Sequence, residues 1–198
     1  MDTTAAPKQA HEVAAEAHIH RGSTWQQIWP AALGVLVAAG TAYGLADPRD
    51  AAPVVAASGL VYLAAGTSGW RLAAWIAFAV TFLLITLEKF AGLNALPWLF
   101  ALAATLLAAG LIRRRTTPWW SFPLQAAAML ALGTAAFLAL QLSPMAGGLL
   151  VAAALLGHAA WDIYHHRTDR VVDHSLARFC AVLDVLVAVF VGILALRS

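Results

Sequence analysis

The chain has 198 residues, of which 62% are hydrophobic and only 11% are charged, and its mean hydropathy is +0.76. Soluble domains carry about a quarter charged residues, and a folded chain of this size leaves roughly 30% of its unfolded surface exposed to solvent. A chain with so few charged and so many apolar residues cannot cover that surface with polar groups. This composition excludes a water-soluble enzyme, a disordered chain and a secreted disulfide scaffold. The formal charge of +2 comes from basic residues that flank apolar segments, so it does not indicate nucleic-acid binding.

The chain opens with a polar stretch, residues 1–24, that precedes the first apolar run. No small-residue cleavage site follows that run in a suitable place, so we expect the stretch to stay attached, as a mobile tail or a short interfacial helix. The remainder, residues 25–198, is predicted to form one membrane domain.

Seven apolar runs follow, each close to the roughly 17 to 25 residues with which an α-helix crosses a bilayer. The second run gives the weakest signal because it is short and rich in Gly and Ser. The predicted spans are residues 28–45, 53–69, 72–87, 95–112, 119–142, 145–164 and 179–196. Since every connection is short, the sequence predicts an all-α bundle of about seven transmembrane helices in which consecutive helices are antiparallel.

The positions of Lys and Arg predict how this bundle is oriented. Nine lie in the N-terminal stretch and in the second, fourth and sixth connections, whereas three lie on the opposite side. The positive-inside rule therefore places the N-terminus in the cytoplasm and the C-terminus outside. The nine are Lys8, Arg21, Arg71, Arg113, Arg114, Arg115, Arg167, Arg170 and Arg178, and the three are Arg49, Lys89 and Arg197.

Most ionisable residues within the predicted spans are concentrated in residues 157–184. Each such residue costs about 2.5 to 3.5 kcal/mol at the middle of a membrane helix, so each requires a physical reason. On a helix, His158, Asp162 and His165 fall within an arc of about 60°, and His166 lies about 40° further round. Asp184 lies at a similar depth in the next span, which predicts a polar His/Asp site at the cytoplasmic ends of the sixth and seventh helices.

Three hypotheses explain this cluster, and the first is a metal-dependent membrane enzyme. Neutral imidazoles and carboxylates suit zinc or iron, and an open coordination position would activate water. The candidate ligands are His158, Asp162, His165 and His166. Asp162 or Asp184 would act as the base and His158 as an acid/base partner, on a lipid-soluble substrate.

The second hypothesis is a small proton- or cation-coupled transporter, or an accessory subunit, in which His158, Asp162 and Asp184 relay protons or neutralise a cation. The third hypothesis is structural. In it, Asp162 pairs with His158 or His166 four residues away, Asp184 accepts a hydrogen bond from a neighbouring helix, and His165 with His166 anchors the helix end at the water boundary.

The segment GHAAWDIYHHR at residues 157–167, followed by Val171–Val172 and Phe179–Cys180, resembles small, uncharacterised bacterial multi-pass inner-membrane proteins. The resemblance covers about the last 40 residues. It implies a bacterial inner-membrane location, with membrane lipids as the surroundings, and it implies no particular activity.

Overall fold

The computed structural model describes residues 25–26 and 28–198, and the predicted tail at residues 1–24, with Lys8 and Arg21, lies outside that part of the chain. The described part contains seven α-helices, a 3-10 turn and no strand. The turn is Pro48–Ala51. The helices are α1 (Ile28–Ala42), α2 (Ala52–Ser68), α3 (Leu72–Ala91), α4 (Ala95–Ile112), α5 (Phe122–Ala139), α6 (Pro144–Thr168) and α7 (His174–Ala195).

The predicted all-α fold with seven helices is thus confirmed for the described residues. Six of the helices are long and apolar enough to cross a membrane, α2 being counted together with the 3-10 turn, and α1 is shorter. The largest change at the start of a helix is in α7, which begins five residues before the predicted position because Asp173 is extended and acts as the N-cap. At the other extreme, α4 has the predicted bounds.

Helix α2, predicted as the weakest span, lies at the centre of the bundle. It contacts α3, α4, α5 and α6. Of the most apolar stretch of this helix and its preceding turn, 89% of the residues are buried inside the bundle, against 17% for α3. The small residues of α2 allow the neighbouring helices to approach closely. A Cβ atom added at Gly59 would lie 3.0 Å from the side chain of Met129 on α5, and one added at Gly66 would lie 3.1 Å from that of Gln125. A central helix does not face lipid, so it can be poor in large apolar residues and still be well packed.

Helices α6 and α7 form an antiparallel hairpin with the most extensive interface in the described chain, and α1 packs on α7. An added Cβ at Gly34 would lie 2.8 Å from the carbonyl oxygen of Phe179, so the two backbones approach closely. Helix α1 also contacts α3, through a stacked pair of rings at Trp29 and Trp75 whose centroids are 5.7 Å apart.

The connections meet at two ends of the bundle. At one end, which we call the basic end, Arg71 pairs with Asp169 at 2.8 Å, the Arg115 guanidinium donates to the carbonyl of Ser68, and Arg170 lies over the ring of Trp120. These contacts bring the α2–α3, α4–α5 and α6–α7 connections together, as the alternation of basic residues predicts.

At the other end, which we call the far end, Arg49 joins the α1–α2 connection to the α5–α6 connection. Its guanidinium pairs with Asp47 at 2.6 Å and donates to the carbonyl of Leu142. The hydrogen bonds from Arg49 lower the pKa of the Asp47 carboxyl below its ordinary value. Lys89 at the end of α3 donates to the carbonyls of Gly40 and Thr41 at the end of α1.

Candidate functional site

Three ionisable side chains meet in the interior of the bundle. The Nδ1–H of His158 on α6 donates to Asp184 Oδ2 on α7 at 2.7 Å, and the same nitrogen lies 3.5 Å from Asp162 Oδ2. All three side chains are essentially inaccessible, with 0–2% of each exposed. One ligand-type atom from each residue lies within 4.8 Å of the others, so we call His158, Asp162 and Asp184 the triad.

A tyrosine of the central helix completes this arrangement. The hydroxyl of Tyr62 donates to Asp162 Oδ1 at 2.6 Å, and its ring packs edge-on against His158, with centroids 5.2 Å apart. Among the described residues, three buried atoms of the triad have no hydrogen-bond partner, namely His158 Nε2, Asp162 Oδ2 and Asp184 Oδ1. Buried polar atoms are rarely left in this state without a functional reason or a bound ion or water.

Asp184 lies further from the start of its helix than the sequence predicts. It follows the start of α7 at His174 by ten residues, which corresponds to about 15 Å along a helix, because α7 begins earlier than the apolar run alone indicates. Asp162 lies six residues before the end of α6 at Thr168, so the triad extends from the middle of the hairpin toward its basic end.

His165, a predicted ligand, belongs to a neighbouring network. The indole N–H of Trp161 donates to Gln125 Oε1 at 3.3 Å, which fixes the orientation of that amide. The amide nitrogen of Gln125 then donates to the carbonyl of Trp120 and to His165 Nε2. His165 Nδ1 in turn donates to the carbonyl of Trp161 at 3.0 Å, so both ring nitrogens are engaged and the imidazole is the neutral Nδ1–H form.

His166, the fourth predicted ligand, lies at the basic end. Its Nδ1 is 3.2 Å from Nδ1 of His174, and Nε2 of His174 is 3.2 Å from Asp169. The structure therefore brings His158 and Asp162 together with Asp184, and it places His165 and His166 in two other sets of contacts.

An apolar crevice leads from the surface to the triad. It has a volume of about 470 Å³ and lies between α1 and α3, with α2 and α7 forming its floor. Leu36, Phe82 and Phe90 line it and are also exposed on the outer surface, whereas Val61 and Asp184 line it and are buried. The carboxylate of Asp184 is therefore the point at which the triad borders the crevice.

A second cavity, the polar vestibule, lies at the far end. Its volume is about 440 Å³, and Arg49, Asp50, Glu88 and Asn94 are among its lining residues. It shares four lining residues with the crevice: Thr41, Val54, Ile85 and Lys89. The two cavities are therefore neighbours, and together they extend from the far end of the bundle to Asp184.

Sequence reasoning identified His158, Asp162 and Asp184 but missed Tyr62. Asp162 and His158 are found because charge is scarce in the spans, whereas a tyrosine is common in membrane helices near the lipid headgroups. The available signal was the position of Tyr62, well inside a span of small residues and away from either end. A polar tip at such a position requires a hydrogen-bond partner within the bundle.

The fold and the site thus define an all-helical bundle with a buried His/Asp triad, an adjoining apolar crevice and a basic end. Comparisons with protein-family models, with curated proteins and with solved structures find no match for the chain. The geometry of the site is therefore the basis for its function.

Proposed function

We propose that the chain is an integral protein of a bacterial inner membrane, with seven crossings, a cytoplasmic basic end and an external C-terminus. Six helices with the required length and hydropathy support this, as do the large apolar side chains exposed along the outer helices, such as Leu36 at 69% and Phe137 at 52%. A soluble monomer rarely exposes so continuous an apolar surface, whereas lipid tails satisfy it.

Within this membrane domain, we propose that the triad binds a divalent metal ion for chemistry on a lipid-soluble substrate. The observation that carries the proposal is the convergence of two buried carboxylates, Asp162 and Asp184, on one imidazole nitrogen of His158, each carboxylate keeping one oxygen without a hydrogen-bond partner.

The charge of the triad favours a bound cation. Two carboxylates in an apolar interior are stable only when positive charge lies close to them. Even a His158 protonated at both ring nitrogens would balance only one of the two carboxylates, and Asp162 receives only a neutral hydroxyl from Tyr62. A divalent ion would balance both carboxylates at once and leave the imidazole neutral.

The donor set suits zinc or iron. One imidazole nitrogen and two carboxylate oxygens are ligands that both metals accept. Ligand atoms of a tetrahedral zinc site with bonds of about 2.0–2.2 Å are separated by about 3.3–3.6 Å. The 3.5 Å between His158 Nδ1 and Asp162 Oδ2 matches this spacing, whereas the 2.7 Å between the same nitrogen and Asp184 Oδ2 is a hydrogen-bond distance, so Asp184 would have to turn its unpartnered Oδ1 toward the metal. Three protein ligands leave a coordination position for water or substrate, and a bound metal would activate either as a Lewis acid.

The test is the metal content of the protein purified in detergent, without added metal and without a His-tag, measured by elemental mass spectrometry. We expect about one zinc or iron ion per chain in the wild type and a small fraction of that in His158→Ala and in Asp184→Asn. The Asn variant keeps the shape of the side chain, so it tests the ligand without opening a cavity.

The matched control is His174→Ala, since His174 is exposed and belongs to the basic end. It is expected to keep the wild-type metal content. Absence of metal from the wild type, even after incubation with zinc or ferrous iron, would contradict the proposal. Equal metal in the triad variants would contradict the assignment of the ligands.

A second candidate function, a proton- or cation-coupled transporter, is favoured by the chain of contacts through the triad. Tyr62, Asp162, His158 and Asp184 follow one another at 2.6, 3.5 and 2.7 Å, and the crevice and the polar vestibule connect Asp184 to the far end. Such a row of acids and imidazole is a usual proton path in membrane proteins.

This second function is tested by proton flux in proteoliposomes under a membrane potential, with the wild type compared with Asp184→Asn. A relay predicts flux in the wild type that the Asn variant lacks, because an amide cannot take up and release the proton. Wild-type flux no higher than that of protein-free vesicles would reject it.

If neither metal nor flux is found, and Asp162→Asn loses folded yield, the triad is structural.

A further inference from the structure

We propose that the crevice is a binding site for a single-chain lipid, whose hydrocarbon chain lies along the bundle axis and reaches Asp184. This names the substrate class of the site and rests on the proposed function for its chemistry, although binding of the chain is independent of the metal.

The walls of the crevice have the chemistry of a hydrocarbon site. They carry Phe78, Leu183 and Val61 at depth and Leu36 and Phe82 at the mouth. The volume of about 470 Å³ falls in the usual range of roughly 300–1,000 Å³ for small-molecule sites. An apolar, partly open cavity in contact with lipid is filled by hydrocarbon, since water would find few polar partners there.

The crevice runs along the direction of the helices. Its lining residues extend from Leu33 to Thr41 on α1 and from Phe78 to Phe90 on α3, which corresponds to about 12 Å along α1 and about 18 Å along α3. Contacts between α1 and α3 bound it at both ends, the Trp29–Trp75 stack toward the basic end and the Lys89 hydrogen bonds at the far end. One chain fits along this direction with its side facing the membrane.

Two charged groups line the crevice at different depths and fix the direction of the lipid. At the far end, the Lys89 ammonium is held by the carbonyls of Gly40 and Thr41 and lies 5.9 Å from the centroid of the Tyr43 ring, and its positive charge suits a small anionic headgroup. Nearer the basic end, Asp184 brings the triad to the crevice wall, one turn before the crevice ends at Cys180 on α7. A lipid with its headgroup at Lys89 therefore presents the interior of its chain to the triad.

The depth of the triad supports the same assignment. Asp184 follows Arg178 by six residues and precedes the end of α7 by eleven, so in a membrane with Arg178 at the surface it lies about 9 Å inside the hydrocarbon on the basic side and about 16 Å from the far end of the helix. Headgroup esters and phosphates do not reach that depth. The bonds that do are those of the hydrocarbon chain itself.

The test uses two photoreactive lipids with a diazirine at the middle of the chain, a fatty acid and a diacyl phospholipid, in nanodiscs with the full-length protein. We expect the fatty acid to label peptides of α2 and α7 around Val61 and Leu183, and the phospholipid to label mainly the exposed faces of the outer helices. Labelling of α2 and α7 by the phospholipid to the same extent would overturn the single-chain assignment.

A substitution that fills the crevice gives the matched comparison. An added Cβ at Gly40 meets no atom within 4 Å, and Gly40 lines the crevice. Gly40→Phe should therefore fold and should reduce labelling of α2 and α7 by about tenfold or more, while Gly157→Phe, on an equally open glycine of α6 away from the crevice, should leave it unchanged. Unchanged labelling in Gly40→Phe would overturn the proposal.

Two further measurements keep the outcomes distinct. If Gly40→Phe gives no monodisperse protein, Thr86→Trp places bulk on the opposite wall of the same crevice and is judged by the same criteria. Metal content is measured in parallel. Lost labelling with retained metal identifies the lipid site alone, whereas wild-type protein that is labelled but binds no metal contradicts the proposed function and leaves the lipid site standing.

Discussion

His158 and His165 lie seven residues apart on α6 and are both buried, yet their ring nitrogens have different partners. Both nitrogens of His165 are hydrogen-bonded, one to an amide and one to a backbone carbonyl. His158 faces two carboxylates with Nδ1, and its Nε2 has no partner within the described chain. The same residue type on the same helix face is therefore fully hydrogen-bonded in one case and keeps one nitrogen without a partner in the other.

Tyr62→Phe tests whether the tyrosine orients the triad. The substitution removes the 2.6 Å hydrogen bond to Asp162 and keeps the ring. Loss of a group that orients a metal ligand typically lowers metal affinity about 10- to 100-fold, and we expect a loss in that range in a competition titration with a chelating dye. Tyr43→Phe is the control, because Tyr43 is 75% exposed. Unchanged affinity would show that Tyr62 only fills space.

Gln125→Leu tests the neighbouring network. It leaves the indole N–H of Trp161 and Nε2 of His165 without their partners, and each buried group left unpaired costs about 1 to 3 kcal/mol. We expect a lower thermal unfolding midpoint in detergent, with the metal content of the purified protein unchanged. Gln141→Leu serves for comparison, since Gln141 is exposed. A loss of metal in Gln125→Leu would mean that His165 takes part in the triad site after all.

At the scale of helices, hydropathy found every element but ranked the central one last. The mean hydropathy of α2 with its preceding turn is 1.4, equal to that of α6, whereas α7 reaches 2.3. The helices that carry Tyr62 and His158 are thus the less apolar ones. Mean hydropathy measures how well a helix is suited to contact with lipid, and a helix that is enclosed by other helices does not need a high value.

Helix periodicity also predicted which residues of α6 share a face, and so brought His158 and Asp162 to one side. The short α6–α7 connection predicted in addition that Asp184 lies beside them, and in the structure Asp184 accepts a hydrogen bond from His158 across that hairpin. Periodicity could not predict which side chains meet across the other interfaces. Gln125 meets His165 across the interface of α5 and α6, a pairing that separation along the chain does not reveal.

Two glycines of α6 test whether close packing limits this helix. An added Cβ at Gly148 would lie 2.5 Å from Pro48 and 2.7 Å from Ala195, whereas at Gly157 it would meet nothing within 4 Å. Gly148→Ala should therefore lower the thermal unfolding midpoint, since overpacking typically costs about 1–3 kcal/mol. Gly157→Ala should raise it, because Ala is favoured over Gly in a helix by about 1 kcal/mol. Equal effects of the two substitutions would contradict the packing of α6 against the 3-10 turn and α7.

For the molecule as a whole, charge and cavities are arranged along one axis. The basic end joins three connections through Arg71, Arg115 and Arg170, and the polar vestibule lies at the far end with the crevice between it and the triad. If the basic end is cytoplasmic, the vestibule opens outside and the crevice faces lipid. The side from which an ion reaches the triad, or a lipid headgroup reaches Lys89, therefore follows from the orientation of the bundle.

That orientation is tested by reporter fusions in a bacterial host. Nine Lys and Arg residues on one side against three on the other predict a cytoplasmic basic end by the positive-inside rule, so a fluorescent protein at the C-terminus should be dark and alkaline phosphatase there should be active. The same pair fused after Arg115 should give the opposite result.

The critical fusion is at the N-terminus, because the described part of α1 extends only about 22 Å, less than the roughly 30 Å of the hydrocarbon core. Fluorescence there confirms that α1 crosses, whereas a dark N-terminus with the other results intact would reduce the count to six crossings.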